Sequence, residues 1–448
     1  MSEKVVIIGA GLAGLATASA LASQGVAVHL LESKDRSGGR AGSFHDPGSG
    51  QMIDACQHVS MGCCTNLAHF CNSFGASGWL APQRKLFFMT PDRKVSTLSA
   101  DPLPAPYHLS RSFLQAHYLS FREKLGLARA LVELRMTDPE DDSPFQEWLD
   151  RRRQSPRCVQ RFWNTILVSA LNEDTERIGI KYARKVFVDG FMRHPRGFQV
   201  ELPTVPLGQL YGQRLQDSLR KKGATLTFQT GVRKLILEEG KAAGVELRTG
   251  ETIRASAVVS AVPFDRFLSF LPEETVDRHA PFAGLRHLEF SPITSVHLWF
   301  DRGFCPWPHL VTLDCLGQWI FNRGEVAPGE HYLQVVVSAS RQYRNLGHAE
   351  IQRRIEDEIG ALFPASRSAN RIRARVVTEH HATFSAVPGV DRWRPDQTTP
   401  IPNLFLAGDW TRTGWPATME GAVRSGYLAA ERLMRQRGRP TRFLQPDL

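Results

Sequence analysis

Apolar residues fall in short runs between glycine-bearing turns, and the runs follow two periodicities. Residues 4–9 contain Val5-Val6-Ile7-Ile8, the continuous apolar pattern of a strand covered on both faces. Residues 12–23 carry small side chains almost throughout, which predicts a helix able to lie close to a sheet, and Gly25 ends it. Residues 26–32 alternate back into a strand, completing a βαβ unit of about 30 residues. Residues 209–221 predict another helix. Strands follow, with turns at Glu239-Gly240 and Thr249-Gly250, and then a short buried strand at 257–261. Residues 404–407 predict a last strand and 419–435 a last helix.

The intervening segments read differently. Residues 84–205 are rich in arginine, aromatics and helical periodicity, and 285–385 hold β-like runs at 295–300 and 332–338. The expected fold class is therefore α/β. A Rossmann-like domain is gathered from residues 1–83, 206–284 and 386–448. Residues 84–205 and 285–385 form an inserted α+β substrate domain. No repeat or low-complexity tract interrupts this plan.

Composition narrows the setting. The charged fraction of 22% and hydrophobic fraction of 42% are ordinary for a globular protein. The seven cysteines are odd in number and lack metal-type spacing, so free thiols in a reducing compartment are expected, and no metal site. The chain runs into its first strand directly after Met1-Ser2-Glu3, leaving no room for a signal peptide. No apolar run reaches the roughly 18 residues of a membrane span. The expected location is cytoplasmic. A net charge of +10 without a nucleic-acid motif points to an anionic membrane surface as partner.

Glycine signatures stand near both ends. Gly9-Ala10-Gly11-Leu12-Ala13-Gly14 follows the first strand, where backbone amides and a helix N-terminus can approach a pyrophosphate. Glu32 closes the second strand, 18 residues after Gly14, where its carboxylate can accept ribose hydroxyls. Ser33 through Arg40 follow, with Gly38-Gly39 permitting a sharp turn and Arg40 able to neutralise phosphate. At the other end, Gly408-Asp409 follows a buried strand, where Asp409 can hold the ribityl or phosphate part of FAD or simply stabilise a turn. Glu420-Gly421-Ala422 opens the last helix, whose dipole suits the negative charge of a reduced isoalloxazine. Two such signatures on one chain indicate a flavoprotein whose FAD site is assembled from distant parts.

Together these motifs resemble the FAD-dependent amine oxidase and phytoene desaturase superfamily. The resemblance brackets the whole chain. It extends cofactor contacts to Leu12, Ala13, Ser33, Gly39, Val232, Met419 and Ala422, with FAD held non-covalently. Two stretches are similar to the squalene-associated branch, the hydroxysqualene dehydroxylases: Asp54-Ala55-Cys56-Gln57-His58, and the run from Gly408-Asp409-Trp410-Thr411 through Thr413-Gly414-Trp415-Pro416 to Gly426. Trp415 departs from the smaller apolar residue expected there. Cys56, Cys63 and Cys64 are also unusual.

The branch implies a long apolar isoprenoid substrate and the conversion of hydroxysqualene to squalene by hydride from flavin N5, alongside other squalene-pathway enzymes. Hydroxide leaves poorly and needs a proton. Asp54 is the candidate acid, because an apolar site raises a carboxyl pKa. Asp54-x-x-Gln57 is equally a capping-box pattern, which would leave both residues structural. His58 could deliver the proton, orient Asp54, or serve only packing. Trp410, Trp415 and Pro416 are candidate cavity residues, the tryptophan faces able to stabilise a cation or simply pack. Vicinal Cys63-Cys64 is not expected to form a strain-free disulfide. Residues 107–136 mix apolar and basic positions like an interfacial amphipathic helix, and equally like a lid. A carotenoid desaturase, an amine oxidase and a non-catalytic lipid-binding protein remain as alternatives.

Overall fold

The computed structural model describes residues 4–448. Its centre is a five-stranded parallel sheet in the order Thr225–Thr227, Val28–Leu31, Val5–Ile8, Ala257–Ser260, Leu404–Leu406. Strand neighbours are thus drawn from three distant stretches of chain. Alternate residues of the first strand feed different cores. Val5 and Ile7 pack with the first and last helices, and Val6 and Ile8 pack toward the aromatic interior of the insert. This two-sided burial is why the strand is apolar without interruption.

The first helix, Leu12–Ser23, is buried along nearly its whole length. It lies against the last helix, Met419–Gln436, and the approach is close enough to need glycine. A Cβ at Gly426 would run into the Ala13 carbonyl, and Thr17 donates its hydroxyl to the Gly426 carbonyl at 3.2 Å. Small residues on both helices are therefore a requirement of distance.

A second, seven-stranded sheet runs Arg371–Phe384, Phe290–Phe300, Glu330–Val337, Trp319–Ala327, His309–Thr312, Lys85–Met89, Val95–Ser99. It is antiparallel except between His309–Thr312 and Lys85–Met89. Helix His348–Leu362 covers part of it. The strand Val200–Pro203 pairs with Ser60–Met61 and Leu80–Gln83, stitching the insert to the first segment. Between them lie helices and two π-helical stretches, Val159–Asn164 and Val186–Met192. At Glu239-Gly240 both residues have positive φ, 50° and 74°, as a two-residue hairpin turn requires.

Two expected helices are broken. Residues 209–221 divide into Leu207–Leu210 and Gln213–Lys221, because Gly212 takes a non-helical conformation in which a Cβ would strike the Gly208 carbonyl. Residues 107–136 divide into a 3₁₀ turn at Tyr107–Leu109, a short helix Ser110–Gln115 and a long helix Phe121–Met136. The long helix starts at a capping box. The Ser120 hydroxyl accepts from the Glu123 amide and the Glu123 carboxylate accepts from the Ser120 amide, at 3.3 and 2.8 Å. Among the described residues no helix is long and apolar enough to cross a membrane.

Replacing Gly426 with alanine forces the first and last helices apart, with an expected loss of about 1–3 kcal/mol in urea denaturation. Gly360→Ala, in a helix with open space around it, is the control. It should be neutral or stabilising by about 0.5–1 kcal/mol.

Candidate active site

The first strand ends in a turn that only glycine fits. Gly9 has φ 101°, and a Cβ at Gly14 would run into the Gly9 carbonyl. Gly11 precedes the first helix without any side-chain cap, so the first-turn amides at Leu12 and Ala13 have no partner from the helix itself. The dipole of a twelve-residue helix adds to their preference for an anion. Glu32 is buried where the second strand ends. Its Oε2 accepts the Ala10 amide at 2.7 Å, and Oε1 accepts the Lys34 amide at 2.8 Å and the Ser33 hydroxyl at 3.1 Å. A carboxylate offers about four lone pairs, so capacity remains for a ribose hydroxyl. Val232 begins a strand just beyond Thr230, whose amide donates to the Glu32 carbonyl. Gly38 and Gly39 turn with positive φ, and a Cβ at Gly39 would press on Gly11. The Gly-Gly pair thus seats one glycine turn against the other.

Arg40 and Asp409, 369 residues apart, form an ion pair at 2.5 Å. Arg40 also donates to the Ala382 carbonyl at 2.8 Å, reaching the second sheet. The Arg40 side chain remains 30% exposed and Asp409 only 6%, so the guanidinium keeps an open edge. Uncapped helix amides, a buried carboxylate at a strand end and a half-open guanidinium fit an FAD molecule.

The Glu420 side chain has a part of its own, separate from the backbone amides of the helix it opens. It is fully buried, and its carboxylate accepts the amides of Asn66 and Leu67 at 3.2 and 2.7 Å and the Asn66 side chain at 2.9 Å. It therefore caps helix Thr65–Ser73. Burial outweighs these hydrogen bonds and moves its pKa up. The last helix is capped by Thr418, which accepts the Gly421 amide at 3.0 Å and leaves the backbone of Met419, Glu420 and Ala422 at the helix start. Tyr211 donates to the Met419 sulfur at 3.6 Å.

The loop from Gly408 to Pro416 is organised by a residue the motifs do not include. Arg394 is 1% exposed and donates to the carbonyls of Asp409 (3.0 Å), Thr411 (2.6 Å) and Trp415 (2.9 Å). It also binds Asp391 and the Tyr182 hydroxyl, each at 2.8 Å. Burial opposes its charge, but the fields of Tyr182 and Asp391 win and raise its pKa. Burial likewise opposes ionised Asp391, yet Arg394 beside it brings that pKa down to about 2. In sequence, Asp391-Arg392-Trp393-Arg394 reads as an ordinary charged loop. No local signal marks it, because its partners lie on other elements.

Asp54 ends strand Met52–Asp54 and is 5% exposed. Its Oδ1 accepts the Ser43 hydroxyl at 2.5 Å and the Leu207 amide at 2.8 Å. Ser43 in turn accepts the Gly208 amide at 2.6 Å. The local capping box is absent: residues 55–59 are not helical, and Asp54 instead caps a turn 153 residues away. Burial outweighs these hydrogen bonds and the nearby Arg323, so its pKa is raised. Half-buried His58 shares its ring nitrogen with the Cys56 carbonyl at 3.0 Å and feels both Asp54 and Arg40. Burial lowers its pKa, favouring neutral imidazole. Gln57 donates to the His58 carbonyl at 3.1 Å and accepts from Arg323 at 3.3 Å. Arg323, on strand Trp319–Ala327, thereby brings the second sheet to this loop. Cys56 packs with Phe321 and Val336, and burial pushes its thiol up to about 12, leaving it inert.

The tryptophans do not present free faces. Trp410 is packed among Phe264 and Phe267, its indole donating to the Val262 carbonyl at 3.0 Å. Over Trp415 lie the Lys185 ammonium at 4.5 Å and the Arg424 guanidinium at 5.5 Å. A further cation over that ring would meet two charges of its own sign. Pro416 lies in the turn before the last helix, its carbonyl against Gly421. All seven cysteines are free, and among the described residues no cluster could hold a metal ion.

Comparison with known proteins agrees with this geometry. The family described as flavin containing amine oxidoreductase matches residues 12–434. A 15-cis-phytoene desaturase of Solanum lycopersicum is 26% identical over 96% of this chain and 77% of its own. A zeta-carotene desaturase of Synechocystis is 25% identical over 97% and 98%. Among solved structures, cyclohexylamine oxidase from Brevibacterium oxydans superposes with a TM-score of 0.73 at 19% identity, covering 98% of this chain and all of that one. An oxidoreductase from Methanosarcina mazei gives 0.72 at 18%, covering 96% of this chain and all of its own.

Breaking the Arg394 clamp should be costly. Arg394→Met leaves the buried carbonyls of Asp409, Thr411 and Trp415 without their donor and takes from Asp391 one of its two cations, Lys181 being the other, and about 3–5 kcal/mol of stability should be lost in urea denaturation. The ratio of flavin to protein absorbance should fall with it, whereas Arg392→Met, on the exposed neighbour, should change neither.

Proposed function

The chain belongs to the flavin containing amine oxidoreductase family, an FAD-dependent oxidoreductase fold, and we propose that it reductively removes the allylic hydroxyl of hydroxysqualene to give squalene. The observation that carries this reading is Asp54, a carboxyl only 5% exposed whose burial raises its pKa, with His58 as an electrostatic neighbour and Cys56, two residues on, in an apolar cluster with Phe321 and Val336. A desaturase or an amine oxidase takes hydride from its substrate and needs no acid for a leaving hydroxyl. A dehydroxylase needs one.

The balance is simple: the C–O bond breaks, one proton leaves with the hydroxyl as water, and a C–H bond forms. FAD, bound non-covalently and in its reduced form, supplies the hydride. The protein's own part is the proton and the surroundings. Ser43 and the Leu207 amide both engage Oδ1, and no hydrogen bond from a described residue reaches Oδ2. That oxygen is the one we assign to the proton. Neutral His58 can relay a proton to Asp54 after each turnover. Phe321, Val336 and Cys56 keep water from the allylic cation.

The substrate is a long apolar isoprenoid that dissolves in a bilayer, so the enzyme acts at the cytoplasmic face of a membrane as a peripheral protein. Enzymes that make or consume squalene are its expected neighbours. A second reading, carotenoid desaturation, is favoured by the desaturase relatives. Electron flow separates the two. Under anaerobic conditions, pre-reduced protein with hydroxysqualene should yield squalene by mass spectrometry. Appearance of new double bonds in phytoene or zeta-carotene with oxidised protein, and no squalene, would establish the second reading.

Asp54→Asn keeps an acceptor for Ser43 and Leu207 but holds no acidic proton. Flavin content should be retained and turnover should fall about 10²–10⁴-fold. His58→Gln should cost less. Because the acid must be protonated and its pKa is raised, turnover should fall as pH rises above the ordinary carboxylate range. A flat pH–rate profile with normal Asp54→Asn turnover would assign Asp54 to capping alone.

A further inference from the structure

Among the described residues, large apolar side chains that stay exposed are not scattered. Of eleven, seven fall between residues 103 and 136. Tyr107, Leu114, Phe121, Leu125, Val132 and Met136 lead them, with exposures from 57% to 81%. Leu103 lies just ahead of them.

The long helix Phe121–Met136 explains the geometry. At 3.6 residues per turn, Phe121, Leu125, Val132 and Met136 fall within about 60° of one another. Leu127, Ala130 and Leu134 lie on the opposite side and are buried in the core. The helix therefore carries two apolar stripes back to back. Packing accounts for one. Nothing in the fold requires the other, and a solvent-facing stripe of this size costs solubility.

Basic side chains flank the exposed stripe. Arg122 and Arg135 are exposed and, among the described residues, have no ion-pair partner. Lys124 lies beside the stripe and donates to the Leu114 carbonyl at 2.6 Å, tying the short helix to the long one. Arg129 and Arg111 add to the same side of the chain, each paired with one carboxylate. An apolar stripe with cationic margins matches the boundary between acyl chains and anionic headgroups.

The patch also connects inward. Phe113, on the short helix, meets Phe162 edge-on at 6.2 Å. Phe162 stacks on Phe187 at 5.5 Å, and Phe187 neighbours Phe191 at 6.1 Å. Both π-helical stretches contribute to this row. Gly190, within the second of them, lies against Met61, three residues beyond His58. An aromatic row thus joins the exposed patch to the loop that carries Asp54.

We propose that the face formed by Ser110–Gln115 and Phe121–Met136 is the membrane-docking surface, seated on an anionic bilayer with the exposed stripe among the acyl chains. The inference deepens the functional reading above, which calls for a bilayer-dissolved substrate, and names the surface that meets it. The aromatic row behind the patch is then the side from which an apolar substrate arrives.

Flotation of the FAD-loaded protein with vesicles tests this without substrate, so it stands or falls separately from the dehydroxylation. Vesicles of phosphatidylcholine mixed with phosphatidylglycerol should carry the protein, and pure phosphatidylcholine should carry much less. Added salt should weaken the first. The double variant Arg122→Gln/Arg135→Gln should bind anionic vesicles about 30-fold more weakly. Phe121→Gln/Leu125→Gln should lose binding by about tenfold or more and keep its flavin absorbance. Unchanged flotation of both variants would overturn the proposal. So would a dimer in gel filtration that the Phe121→Gln/Leu125→Gln variant dissolves, because a second copy would then be the occupant of the stripe.

Discussion

The structure depends on closing a chain whose two ends must lie side by side. The first and last helices touch backbone to backbone at Ala13 and Gly426, and the strands they serve share one sheet with Ala257–Ser260 between them. Only residues without bulk permit that distance, which is why the first helix meets Gly426 with Ala13, Ala16 and Thr17. Everything between residues 24 and 403 must begin and end within reach of this contact. The intervening segments therefore loop out from the central sheet and return to it, and the Arg40–Asp409 pair joins its first and last segments.

A second constraint is electrostatic. Arg394 places a full charge in the interior, which is tolerated because every polar direction around it is filled by carbonyls, Tyr182 or Asp391. The carbonyls belong to the loop that follows the last strand. That loop is neither helix nor strand, so a cation at its centre, with the turn bond from the Thr411 amide to the Gly408 carbonyl and the donors of Gln397, sets its shape. Tyr182 lies on helix Ile180–Lys185, and the same guanidinium thus ties that helix to the loop after the last strand.

Asp54 shows how one residue can answer both structural and chemical readings. One carboxylate oxygen fixes Ser43 and the start of the turn at Leu207. The buried position that makes those hydrogen bonds worthwhile is also what raises the pKa. Capping and acidity are consequences of the same burial. Cys56, two residues on, shows the other effect of that environment, a thiol too poorly ionised to react.

Much of this was legible in the residues alone. The apolar runs at 5–8 and 257–260, the small-residue helix and the two glycine signatures are local patterns, since strand coverage, helix approach and tight turns each demand particular residue types within a few positions. The glycine turn at Gly9, Gly11 and Gly14 and the strand-end position of Glu32 belong to the same class. What the chain could not display locally was decided by packing at long range. Glu420 looks like part of a flavin motif, yet its carboxylate caps a helix 353 residues earlier in the chain. Asp54 and Gln57 look like a local capping box, yet Asp54 caps residue 207 and Gln57 meets Arg323. Trp410 gained its neighbours from residues 262–267, and Trp415 from Lys185 and the last helix. Arg394 carried no signal at all. Residue type sets what a backbone can do over one turn or one strand, and that is written in sequence order. Which polar group meets which depends on bringing distant segments together, and only the folded chain holds that distance.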